Sequence, residues 1–156
     1  MSMNKIIVTG GAGFIGSNLV KRLLDDGAEE ILVIDDFSTG KKENLHDSSK
    51  VHLIESKLED IEDLKSKFKG YDFCFHLAAG VGVQYIMDNL SDSLLTNIQG
   101  THIVFEACKV NNIPVMITST SEIYGTSKEE SWDEETKSLI GPVSYTHLTL
   151  PTSLAV

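Results

Sequence analysis

The sequence predicts an α/β fold: a parallel β-sheet buried on both faces, with helices packed against each side. Three observations predict it. Short runs of β-branched and other apolar residues alternate with amphipathic helical patterns along the chain. The first run leads straight into the glycine-rich turn Thr9-Gly10-Gly11-Ala12-Gly13-Phe14-Ile15-Gly16. The second ends on the acidic pair Asp35-Asp36, with Asp35 standing 19 residues beyond Gly16. Runs that lack polar alternation are what strands covered by helices on both faces require.

The first strand is Lys5–Val8. The helix Phe14–Asp26 follows, with Ile15, Leu19 and Leu23 on one stripe and Gly27 as its stop. Ile31–Ile34 and Val51–Ile54 are the second and third strands. A short helix, Ile61–Phe68, sets Ile61, Leu64 and Phe68 on its apolar side and leads to the fourth strand, Phe73–Leu77. The longest helix runs from about Ser91 to Val110 and stacks Leu94, Ile98, Phe105 and Cys108. Pro114 marks the start of the fifth strand, Val115–Thr118. Right-handed crossovers then place about five strands in the order 3-2-1-4-5.

After Gly141-Pro142 the pattern stops. Residues 143–156 contain no Asp, Glu, Lys or Arg and keep neither period. The stretch resembles a translated sequencing adapter, so it is expected to be a non-native tail and is set aside in reading the fold. Residues 1–142 are expected to form the domain.

With 41% hydrophobic and 23% charged residues, the 156-residue chain has the composition of an ordinary globular domain. Its net charge of −10 argues against nucleic-acid or acidic-membrane partners, whose phosphates need clustered Lys and Arg. The N-terminus enters a strand without a signal-peptide pattern, and no apolar stretch is long enough for a membrane span, so the cytoplasm is the expected location. Cys74 and Cys108 read as two buried thiols of a reducing compartment. No metal is expected.

The glycine turn carries the chemistry. A helix that opens directly after a strand leaves its first N–H groups unpaired and the positive end of its dipole exposed, which suits a pyrophosphate. Gly10 or Gly11 permits the tight turn, Gly13 lets backbone approach the phosphates, and Gly16 lets the helix pack on the strand. Asp35 stands at the spacing needed to accept hydrogen bonds from both adenosine ribose hydroxyls, and its charge repels a 2′-phosphate. The reading is a Rossmann-type NAD-binding fold. Lys41-Lys42 reads as the solvated start of a short helix.

Further motifs narrow this. The turn also spells Gly10-x-x-Gly13-x-x-Gly16 and is joined by Asp35-Asp36-Phe37-Ser38-Thr39-Gly40, by His76-Leu77-Ala78-Ala79, by Thr96-Asn97-Ile98-Gln99-Gly100-Thr101 and by Ser119-Thr120-Ser121-Glu122-Ile123-Tyr124-Gly125. Together they resemble the extended short-chain dehydrogenase/reductases of the nucleotide-sugar epimerase/dehydratase family, over residues 3 to about 142. Resemblance and strand-end geometry give the expected NAD set: Gly10, Gly13, Phe14, Ile15, Gly16, Asp35, Asp36, Ser38, Thr39, Gly40, Leu58, Leu77, Ala78, Ala79, Asn97 and Ser119. Helix–sheet packing explains the alanines about as well, and His76 alone reads as a packed strand histidine. By resemblance, Asn97 holds backbone near the nicotinamide end.

The resemblance also implies the catalytic residues. Thr120 is expected to hydrogen-bond the sugar O4, while a Tyr from a following Tyr-x-x-x-Lys motif removes the O4 proton and NAD takes hydride from C4, giving a 4-keto sugar. Glu122, in Ser-Thr-Ser-Glu-x-Tyr-Gly, resembles the Glu of UDP-glucuronate decarboxylases; as an alternative it caps local backbone N–H groups. The Asp-Asp-Phe-Ser-Thr-Gly loop resembles UDP-glucose 4-epimerases. Ser121 stands where 4,6-dehydratases usually carry Asp, which argues against dehydration.

Two departures matter. Most relatives have Gly-Asp-Ile after the third strand, with Asp bonding the adenine amino group, whereas this chain has Ser56-Lys57-Leu58, and Lys offers no acceptor. No Tyr-x-x-x-Lys pair follows the Ser119–Gly125 motif either, since Tyr145 is followed by Thr146-His147-Leu148-Thr149 and lies in the tail. The leading expectation is therefore the N-terminal part of an NAD-dependent UDP-sugar 4-epimerase, inactive alone and homodimeric at full length, with an open apolar edge at strand five. UDP-glucuronate decarboxylase is the alternative within the family. A non-catalytic NAD-binding module is the alternative of another class.

Overall fold

Ile6, Ile7 and Val8 follow one another along the first strand, and burying all three requires cover on both faces. The computed structural model provides it, describing residues 4–80, 90–119, 121–124, 131–133 and 135–137. Five parallel strands, β1 (Lys5–Thr9), β2 (Glu30–Asp35), β3 (Val51–Glu55), β4 (Phe73–His76) and β5 (Val115–Ile117), lie in the order β3-β2-β1-β4-β5. Ile7 pairs with Leu32 on one side and Cys74 on the other, so β1 is the central strand.

Alternate residues point to alternate faces and build two cores. Ile6, Val8, Ile31 and Val33 pack with Val20 of α1 (Phe14–Asp25). Ile7, Leu32, Ile34 and Cys74 pack on the opposite face with Leu64 and Phe68, and with Val104, Ala107 and Cys108. Leu64 belongs to α2 (Leu64–Lys67). The long helix is α3 (Leu90–Leu95), a π-helical turn (Thr96–Gly100) and α4 (Thr101–Asn111).

The sequence reading gives the strands and their order, but two helical faces and the length of a third helix differ. In α1 the fully buried positions are Gly16 and Val20, with Leu19 and Leu23 partly buried, while Ile15 is 64% exposed. Gly16 packs on the backbone of Gly10 and Gly11, and its neighbour Ile15 faces away from the sheet. In the long helix Leu94, Ile98 and Phe105 lie outward, and only Cys108 of the expected stripe is buried. The helix is apolar on two sides, and Val104, Ala107 and Cys108 are the side the sheet takes. The expected Ile61–Phe68 helix shrinks to one turn, because Asp63, at φ 51°, caps it by accepting from Ser66 N–H. A 3₁₀ turn, Leu58–Asp60, precedes it.

α1 ends as expected, with Gly27 in the left-handed region and Ala28 N–H donating to Leu23 C=O. Both cysteines are buried and free. A hydrogen bond with Cys108, then burial, pushes the Cys74 thiol above its ordinary pKa. Among the described residues no helix is long and apolar enough to cross a membrane.

The chain divides into two compact units, Met1–Thr118 and Ser119–Val156. Within the second, a 3₁₀ turn spans Ser121–Tyr124, and the Tyr124 hydroxyl donates to Asp133 C=O at 3.0 Å. The Tyr124 and Trp132 rings lie 5.3 Å apart. Residues 143–156, including Tyr145, lie outside the described residues.

Phe68 is fully buried between α2 and the sheet. Phe68→Ala should lower the unfolding free energy in urea by about 3–5 kcal/mol. A loss below about 1 kcal/mol would show that this face is not part of the core.

Candidate functional site

In a parallel sheet a crevice opens at the carboxyl ends of two neighbouring strands whose following helices take opposite faces. β1 and β4 are such a pair, since α1 packs on one face and α4 on the other. An open cleft of about 510 Å³ lies there.

One wall is the glycine turn. Gly10 has φ +71°, and a Cβ there would fall 2.7 Å from Ala78 N. A Cβ at Gly16 would fall 2.1 Å from Gly10 O. Neither position accepts a side chain, and the cleft is lined here by Gly10, Gly13, Phe14, Ile15 and Gly16. Gly13 gives α1 no side-chain cap, and the first turn of the helix carries no acidic residue. Its N-terminus therefore meets the cleft with its positive end unopposed, the arrangement that binds a phosphate.

The second wall follows β2. Asp35 is 8% exposed, and its carboxylate accepts from Ala12 N–H at 2.8 Å and from Phe37 N–H at 2.9 Å. Each oxygen keeps a further lone pair. Phe37 has φ 57°, a strained conformation for an aromatic residue, and Lys42 Nζ sits 5.3 Å from its ring centroid. Lys42 also pairs with Glu55 at 2.5 Å. Lys42–Asn44 forms a 3₁₀ turn, so the basic pair begins a short helical element as read. Asp36, Ser38 and Thr39 line the cleft as well.

Leu58 lines it together with Ser56, Lys57 and Glu59. The floor is Leu77, Ala78, Ala79 and Gly80, after β4. Within the first unit, two of the expected NAD residues, Gly40 and Asn97, do not line the cleft. Gly40 packs on the glycine turn, where a Cβ would fall 2.9 Å from Ala12 C. Asn97, in the π-helical turn, pairs its amide with Gly80, accepting from Gly80 N–H at 2.7 Å and donating to Gly80 C=O at 3.4 Å. Ser119 belongs to the second unit. Thr120 lies outside the described residues, and Glu122 falls in the 3₁₀ turn Ser121–Tyr124.

Ile34, Glu59 and Thr118 also line the cleft and were not singled out from sequence. Thr118 sits at the carboxyl end of a strand, and strand ends are the signal that finds such residues. His76 is a packed strand histidine, 2% exposed, with both ring nitrogens bonded to hydroxyls, Nδ1 to Thr9 at 2.7 Å and Nε2 to Thr101 at 3.0 Å. Among the described residues no cluster of three metal-ligating side chains occurs.

Parallel sheet, uncapped helix N-terminus and an acidic residue closing the second strand define a dinucleotide-binding α/β domain. Comparison with known proteins makes this specific. Residues 6–147 match the NAD dependent epimerase/dehydratase family, and the chain belongs to that family. It is 34% identical over 142 residues to UDP-glucuronic acid decarboxylase 1 of Arabidopsis thaliana, a match covering 89% of this chain and 31% of that protein. It is 36% identical over 129 residues to UDP-glucose 4-epimerase of Mycolicibacterium smegmatis, covering 78% of this chain and 41% of that one. The chain thus spans less than half the length of these relatives. The solved UDP-N-acetylglucosamine 4-epimerase of Methanobrevibacter ruminantium M1, in complex with UDP-N-acetylmuramic acid, superposes with a TM-score of 0.80 at 35% identity, covering 89% of this chain and 45% of that one. Glycine turn, bonded acidic residue and small-residue floor all suit the family's cofactor, NAD.

Burial lowers the His76 pKa from 6.5 to about 4. The unfolded chain then binds the extra proton first as pH falls. Stability should rise with pH between about 4 and 6.5, by up to about 3 kcal/mol from this residue. Urea titrations across this window should show a steeper pH dependence for the wild type than for His76→Gln. Equal slopes would contradict the burial of a neutral imidazole.

Proposed function

We propose that the chain forms the NAD-binding part of an NAD-dependent UDP-sugar 4-epimerase. The observation that carries this reading is the joint between the two cleft walls. The Asp35–Gly40 loop, whose residues resemble those of UDP-glucose 4-epimerases, closes on the glycine turn through Asp35 and through Gly40 packed on Ala12. NAD, when bound, supplies a hydride acceptor for the sugar C4–H and can return that hydride to the other face of the ring.

The chain's own residues supply the binding. The N–H groups at the start of α1, beside Gly13, receive the pyrophosphate. Asp35 accepts from the ribose hydroxyls with the lone pairs its two backbone bonds leave. Leu58 packs on the adenine. Ala78 and Ala79 leave room for the flat nicotinamide end, backed by Gly80 in the grip of Asn97. By the resemblance Thr120 is assigned to the sugar O4 and Ser119 to the NAD set, while the base that takes the O4 proton comes from a later Tyr-x-x-x-Lys motif and not from Tyr124, which has Lys128 at that spacing but donates its hydroxyl to Asp133 C=O. Exposed Leu94, Leu95, Ile98 and Phe105 support association of the full-length protein as a homodimer.

A second reading, UDP-glucuronate decarboxylase, is favoured by Glu122 after Ser119-Thr120-Ser121 and by the relative of that name at 34% identity. The two readings part on the product. An enzyme carrying this chain as its N-terminal part should convert UDP-glucose to its 4-epimer and release no CO₂ from UDP-glucuronate, and the 156-residue chain alone should turn over neither. CO₂ release without epimerisation would replace the first reading by the second, and turnover by the chain alone would refute the need for a downstream Tyr.

A further inference from the structure

Leu77–Gly80, the floor of the cleft, has no regular secondary structure, so its position depends on individual hydrogen bonds. Leu77 N–H donates to Thr9 C=O at 3.1 Å, and Ala78 N–H donates to Thr9 Oγ1 at 3.2 Å. Thr9 Oγ1 also lies 2.7 Å from His76 Nδ1, and His76 Nε2 lies 3.0 Å from Thr101 Oγ1. Thr9 is fully buried and His76 nearly so.

Chemistry fixes the direction of this chain of bonds. Among the described residues the partners of the buried Thr9 Oγ1 are Ala78 N–H, which can only donate, and His76 Nδ1, so Nδ1 is the acceptor for the hydroxyl proton, and the imidazole then carries its proton on Nε2 and donates it to Thr101. The chain links the end of β1, the end of β4 and the first residue of α4. None of its three members lines the cleft, yet it ends on Ala78, which does. Because a Cβ on Gly10 would fall 2.7 Å from Ala78 N, floor and glycine turn are already in close contact, and any shift of one changes the space at the other.

We infer that Thr9, His76 and Thr101 are positioning residues for the dinucleotide, holding the Leu77–Gly80 floor against the glycine turn and so setting the affinity of the cleft. The inference rests on the reading of the cleft as the NAD site. It assigns His76 a role the sequence alone does not, acting through its neighbours and touching no ligand.

The test combines two valine variants, Thr9→Val and Thr101→Val, with their serine counterparts, Thr9→Ser and Thr101→Ser, and ¹⁵N chemical shifts of the His76 ring in the wild type. NAD dissociation constants are measured by calorimetry at a temperature where circular dichroism shows each variant folded. The valine variants should bind NAD at least about tenfold more weakly, and the serine variants should stay within about threefold of wild type. At neutral pH the ring should be neutral with its proton on Nε2, a readout that needs no variant to fold. Folded valine variants with wild-type affinity, or a proton on Nδ1, would overturn the inference. A wild-type chain that fails to bind millimolar NAD would instead overturn the cofactor reading itself.

Discussion

The backbone of Ala12 is gripped at both its N–H and its C=O, and the cleft depends on that grip. Its N–H donates to the Asp35 carboxylate at 2.8 Å, and its C=O accepts from Asn44 Nδ2 at 2.8 Å and from Lys41 N–H at 3.2 Å. Ala12 is fully buried at the middle of the glycine turn. A nearly buried carboxylate is costly unless its oxygens are bonded, and the two backbone N–H groups it accepts offset that cost. One acidic residue thus ties the turn after β1 to the end of β2. In the proposed NAD site the same residue would be pre-oriented to read a ribose.

The sheet supplies the rigidity behind this grip. β1 and β2 are buried on both faces, whereas the edge strands β3 and β5 leave Leu53, Met116 and Ile117 substantially exposed. The cleft therefore opens over the best-packed part of the molecule, between β1 and β4, where the chain crosses from one face to the other. Its floor is held by side chains from three elements, and its walls by the positive φ of Gly10 and by a backbone approach at Gly16 too close for a Cβ. Small ligand-binding segments fixed to a stiff sheet are the usual solution for precise placement.

Much of this was legible in the sequence, for identifiable reasons. Unbroken apolar runs such as Ile6-Ile7-Val8 can only be central strands, and the strand order follows from crossover handedness. The glycine turn and Asp35 were readable because their spacing is local. The helix faces were less so: the contact at Gly16 sets the rotation of α1, and apolar residues on both sides of α4 hid which side meets the sheet. Leu64 and Phe68 were found, but Asp63 moved the start of their helix. The Thr9–His76–Thr101 chain was invisible because its members are 67 and 25 residues apart, and no periodicity joins them. Lys57 marks the opposite case, an evident departure in the sequence that the structure places in the cleft beside Leu58.

The central claim is that the cleft at the β1–β4 crossover holds NAD, with Asp35 selecting an unphosphorylated ribose. Side-by-side calorimetric titrations of the 156-residue chain with NAD and with NADP test it most directly. Charge repulsion at Asp35 predicts NAD binding at least about tenfold tighter than NADP. Equal affinities, or tighter binding of NADP, would contradict the role given to Asp35.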